Sequence, residues 1–124
     1  KNRFELLRKL SFMPIMDGDL KAFNDYFNLI RSTNFLTLSH ANHIYRYGLF
    51  RLQQGDTDGA TELFQYINAR EPENALPING LGLVAKVKNE KSKARDFFEK
   101  AVMMAEKNQD FRIQEYRNNL QQLD

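Results

Sequence analysis

Apolar side chains along this chain recur at intervals of three and four rather than two. Leu63, Phe64 and Ile67 follow Ala60; Phe97, Phe98, Ala101 and Val102 follow Ala94. No Val/Ile/Thr-rich alternating run marks a strand. The pattern predicts an all-α protein of about seven helices, over residues 2–14, 19–32, 38–53, 57–70, 75–88, 91–106 and 110–122. The breaks between them carry turn chemistry. Asp17-Gly18-Asp19 and Gly55-Asp56-Thr57-Asp58 supply flexible links and N-cap candidates. Glu71-Pro72-Glu73-Asn74 ends one helix and starts the next, because proline disfavours α geometry in the residue before it. Lys88-Asn89-Glu90 is the least marked break, resting on one asparagine.

The chain also repeats itself. Displaced by 34 residues, Ala41 meets Ala75, Ile44 meets Ile78, Gly48 meets Gly82 and Leu49 meets Leu83. Ala60 meets Ala94, Phe64 meets Phe98 and Asn74 meets Asn108, while Tyr47 meets Leu81 and Gly55 meets Asn89. Two packed antiparallel helices need such spacings: a small residue at the crossing and bulk beside it. Gly48 and Gly82 are therefore placed where the first helix of a pair crosses the second, opposite Ala60 and Ala94, with Phe64 and Phe98 filling the space one turn later.

On these residues the chain resembles the tetratricopeptide repeat family. In residues 41–74, Ile44 stands at that pattern's tryptophan, Tyr47-Gly48 at its leucine-glycine pair and Gly55-Asp56 at its turn. Ala60 takes its alanine, Phe64 its aromatic and Pro72 its terminal proline. Residues 75–108 fit with Glu106 in place of the proline. Arg51, at a usually aromatic position, and Ile67, at a usual alanine, depart from the pattern. Residues 1–40 resemble a degenerate first repeat, through Gly18-Asp19-Leu20-Lys21-Ala22 and Tyr26. Residues 109–124 read as a capping helix with Ile113, Tyr116 and Leu120 on one face and Arg112, Glu115 and Asn119 on a solvated one. The resemblance implies one domain over 1–124, a right-handed superhelical stack of antiparallel helix pairs with a concave face lined by the first helix of each pair. The groove-facing residues it implies are Asn42, Tyr45, Arg46 and Leu49 in one repeat and Asn79, Leu83 and Lys86 in the next. This mixture of aromatic, cations, amides and leucines suits a peptide with apolar anchors and some acidic character.

Composition narrows the function further. With 124 residues the chain has the size of one domain, and 42% hydrophobic residues provide enough material for a core, against wholesale disorder. A net charge of +2 argues against a dedicated nucleic-acid binder. There is no cysteine, so neither disulfides nor thiolate metal sites exist, though this fixes no compartment. No stretch reaches the roughly 20 apolar residues of a membrane helix; Leu81 to Val87 is broken by Gly82 and Lys86. The opening Lys1-Asn2-Arg3-Phe4-Glu5-Leu6-Leu7 is an amphipathic helix start without an initiating methionine or a signal h-region, which reads as a piece of a longer protein.

Several sharper chemistries weaken on inspection. A two-carboxylate clamp for acidic chaperone tails, known in one branch of the family, needs Lys and Asn where Tyr45 and Leu49 stand, and Asn where Gly80 stands. His40 and His43 lie three apart, but a metal site needs further ligands and none is near in sequence; a polar helix N-terminus is the plainer reading. Asp56-Thr57-Asp58-Gly59 resembles a calcium loop only until its twelfth position, which is Ile67 and not glutamate. Lys86, Lys88, Lys91, Lys93 and Arg95 form the densest basic segment, a candidate patch for phosphate or acidic protein, or else an edge screened by Glu90, Asp96 and Glu99. The ten phenylalanines sit mostly at core spacing rather than on a base-stacking surface. No nucleophile–base pair, phosphate loop or metal constellation is present, and Gly80-Leu81-Gly82 lies inside a helix. The expectation is a non-enzyme without cofactor or metal that binds another protein or peptide as scaffold, adaptor or chaperone, for instance in bacterial secretion, pilus or envelope assembly. The alternative is a regulatory or sensor domain of a larger enzyme or transcription factor.

Overall fold

The computed structural model describes residues 20–33 and 38–123, and among them every regular element is an α-helix. There are six: α1 (Leu20–Thr33), α2 (Leu38–Gln53), α3 (Thr57–Arg70), α4 (Ala75–Val87), α5 (Lys91–Asn108) and α6 (Ile113–Gln121). They match six of the expected segments to within a few residues. The expected helix over 2–14 lies outside the described residues.

Local chemistry sets the ends. Asp56 caps α3, its carboxylate accepting from the Gly59 N–H at 2.8 Å and from Arg51 Nη1 at 2.6 Å. Those two donors, the Gly59 amide first, hold the Asp56 carboxyl below its ordinary range. Arg51, foreign to the repeat pattern, thus clamps the α2–α3 turn. Asn74 caps α4 by accepting from the Leu76 N–H at 3.0 Å. Gly55 and Asn89, the 34-residue equivalents, both take positive φ, 83° and 61°, a region open to glycine and tolerated by asparagine. Helix α5 runs to Asn108, two residues beyond the expected limit, and Gln109 after it takes the same left-handed region. Its successor Asp110 accepts from the Arg112 N–H at 2.9 Å, a turn that delays α6 to Ile113.

Short turns bring each of α3 to α6 back against its predecessor, and α4 also touches α2. This arrangement of neighbours and next-neighbours is compatible with a helical repeat. The middle helix α4 is buried almost all round: Ala75 to Gly80, Gly82, Val84 and Ala85 are all inside. Its neighbours present stripes, Ala60, Leu63, Phe64 and Ile67 from α3 and Ala94, Phe98, Ala101 and Ala105 from α5. Ile67, where the pattern favours alanine, is fully buried and adds to the core.

Both expected glycines are points of close approach, but the nearest side chains are the phenylalanines and not Ala60 and Ala94. A Cβ built on Gly48 would stand 2.5 Å from Cε1 of Phe64, and one on Gly82 would stand 2.5 Å from Cε1 of Phe98. Gly80 approaches Phe64 from α4, at 2.8 Å for its notional Cβ, so that one ring is held between glycines of two helices. Helix α1 docks through rings instead: Phe23 stacks on Tyr47 with centroids 3.7 Å apart, and Phe27 meets Tyr66 edge-on at 4.9 Å.

Candidate functional site

The seven residues assigned to a groove divide sharply by environment. Tyr45 and Asn79 are internal, at 2% and 0% exposure. Asn42 and Leu49 are half-buried and Arg46 is exposed. These three follow each other at i, i+4 and i+7 and share one face of α2. On α4, Leu83 is half-buried against a second cluster formed with Ala85, Ala94, Phe98 and Leu123, and Lys86 is exposed.

Helix α6 contributes to the burial of Tyr45 and Asn79. Asn79 lies on the face of α4 that meets α2, and its Nδ2 donates to the Tyr45 hydroxyl at 3.0 Å. Its Oδ1 accepts from Nδ2 of Asn119 on α6 at 2.9 Å. The Arg112 guanidinium, at the start of α6, lies 6.0 Å from the centre of the Tyr45 ring. Tyr116 of α6 is fully buried in the same core cluster as Tyr45. Burial pushes the Tyr45 hydroxyl up to about 12, a rise that the Asn79 hydrogen bond partly offsets. Tyr116 is raised as well, by burial first and by the Asp110 carboxylate next.

Sequence reasoning missed the part played by Arg112 and Asn119. Both fall on the face of α6 assigned to solvent; both are half-buried and turn towards Tyr45 and Asn79, whereas Glu115 is exposed. The signal that could have found them is the spacing of Arg112, Tyr116 and Asn119 at i, i+4 and i+7, a single stripe of a helix. Phe111, just before this stripe, is 87% exposed, with the Arg112 guanidinium 5.6 Å from its ring centre.

The basic segment does not form one patch. Lys88 and Lys93 converge on Glu90, at 3.9 and 3.5 Å. With Leu81, Val84 and Phe97 they line a cleft of about 360 Å³ that also carries Glu90 and Asp96. Lys86 and Lys91 look into a different cleft of about 330 Å³, beside Asn89, Gln122 and Leu123. His40 and His43 both pack edge-on to Tyr26, at 5.9 and 5.1 Å. Among the described residues no group of three side chains able to hold a metal ion occurs, and no helix is long and apolar enough to cross a membrane.

No protein-family model, curated protein or solved structure matches this chain.

Proposed function

We propose that this chain is a protein-interaction module of tetratricopeptide type, a right-handed superhelical stack whose α2–α4 face holds a segment of a partner protein. The observation that carries the reading is the Tyr45–Asn79 hydrogen bond. The two residues are one repeat apart, so equivalent positions of α2 and α4 meet on one face, as the first helices of successive repeats do. Beside that pair, Asn42, Arg46 and Leu49 offer an amide, a cation and an apolar surface at consecutive turns of α2. This chemistry suits a partner segment with an apolar anchor and a carboxylate. The role is that of a scaffold, adaptor or chaperone without catalytic residues.

The test is a capture experiment with the chain and its variants, the bound proteins then being identified and their affinities measured. Arg46→Glu is expected to weaken the principal partner at least about tenfold, since arginine at an interface commonly contributes a tenfold factor or more. Glu62→Ala, on exposed α3 surface beside Arg31, is expected to leave it unchanged. Normal binding by Arg46→Glu with loss in the Glu62 variant would place the partner on the other side of the molecule.

A further inference from the structure

We infer that α6 is a displaceable resident of the α2–α4 face, and that the ligand of this face is a helix repeating the α6 pattern Arg-x-x-x-Tyr-x-x-Asn. The inference rests on the interaction-module reading and adds the form of the partner and the way it gains entry.

Helix α6 behaves towards this face as a bound ligand would. Its three stripe residues each meet the face in a different manner. Arg112 lies over the Tyr45 ring, Tyr116 is sunk completely into the core cluster, and Asn119 completes the amide of Asn79. An aromatic sunk in a pocket, flanked by a cation and an amide at one-turn intervals, is how an amphipathic helix is read by a groove. Under α6 the receiving side presents the Tyr45–Asn79 pair, and Asn119 bonds to it. An occupant without an amide there would leave buried Asn79 short of a partner, which makes that position selective.

Three features weaken the hold on α6, whose main packing is against α5. It is nine residues long, too short to be a stable helix without its packing. The Tyr116 hydroxyl is buried with no hydrogen-bond partner, an unfavourable contact that α6 brings with it. The segment leading into it passes through Gln109 in the left-handed region, with φ of 56°, where a side chain is disfavoured. A partner helix with the same stripe and a better-placed polar atom near the tyrosine position would compete with α6 for the site.

The experiment uses a synthetic peptide with the sequence of residues 109–124 and the whole chain. Being tethered, α6 acts at an effective concentration in the millimolar range, so micromolar peptide is expected to bind the unaltered chain only marginally. In a Tyr116→Ala chain the resident helix is impaired and the face is intact. Labelled peptide is expected to bind this chain at least about tenfold more tightly, since apparent affinity scales with the fraction of open face. A peptide with alanine at the positions of Tyr116 and Asn119 is expected not to bind. Equal binding of the peptide to both chains, or binding of the control peptide, would overturn the inference. Should circular dichroism show that Tyr116→Ala does not fold, the Asn119→Ala chain and hydrogen exchange replace it. The α6 amides are then expected to exchange well before those of α4, and exchange of both together, only on global unfolding, would equally refute displacement. The module reading fails by a different result, partner binding indifferent to Arg46→Glu, and that measurement does not involve the peptide.

Discussion

Asn79 donates to the Tyr45 hydroxyl at 3.0 Å, so two positions related by the 34-residue displacement of the sequence are joined directly by a hydrogen bond. Its other end is held by Asn119, and the carboxamide is fully buried. Both polar ends of Asn79 are therefore bonded to side chains. Asn79→Ala is expected to lose about 1–3 kcal/mol, the usual consequence of leaving buried polar groups unpaired. Tyr45→Phe removes only one hydroxyl and is expected to cost about 1 kcal/mol. The two losses should not add: denaturant melts of both single variants and the double variant are expected to give a coupling of about 0.5–1 kcal/mol. Additive losses would mean that the bond contributes nothing to the folded state.

The glycines at the helix crossings oppose two effects of known sign. In an exposed helix, Gly→Ala gains up to about 1 kcal/mol from backbone entropy. At Gly82 the added methyl would stand 2.5 and 2.6 Å from Phe98 and 3.2 Å from Phe97 Cβ. The Phe98 ring is fully buried, so any retreat would displace its core neighbours. Overpacking of this kind costs about 1–3 kcal/mol, so the clash outweighs the entropy and Gly82→Ala is expected to lower the melting temperature. Gly82→Leu should lower it further. Gly48→Ala, which meets Phe64 in the same manner, is expected to behave alike. A rise in melting temperature for either alanine variant would remove these glycines from the crossings.

These glycine–phenylalanine crossings were legible because steric demands repeat with the fold: a small residue and a large one must recur at the same interval if the helices do. Helix type and extent were legible for a related reason, since a one-sided apolar stripe and a capping residue act over a few neighbouring positions. In the sequence Arg51 shows only as a departure from the pattern, because its use depends on Asp56 folding back to it across a turn. The pair Asn74 and Asn108 matches in sequence but not in use. Asn74 caps α4 with its oxygen, while Asn108 donates to the Glu73 carbonyl at 2.8 Å from the far end of α5. The site was the least legible part. The repeat pattern places Tyr45 and Asn79 on a concave groove open to a partner, but nothing local in their sequence says that α6 turns back over them. Periodicity alone identifies the most apolar side of α6; it does not distinguish a polar side facing water from one facing an internal amide.

Acid sensitivity follows from His40. It is 5% exposed, and burial lowers its pKa from the ordinary 6.5. The folded chain therefore prefers the neutral imidazole, while the unfolded chain takes up a proton near 6.5. The sign is fixed by that difference. Between the lowered folded value and 6.5 the unfolded state binds more protons, so stability rises with pH there and falls on acidification. Above 6.5 both states are neutral and the contribution is flat. His40→Phe keeps an aromatic against Tyr26 and removes the titrating group. Denaturant unfolding free energies at pH 7.5 and 5.5 are expected to differ less for His40→Phe than for the unaltered chain. His43, whose ring also meets Tyr26, needs a His43→Gln control. If His40→Phe leaves the acid loss of stability unchanged and His43→Gln abolishes it, the sensitive group is His43 and the burial argument for His40 fails.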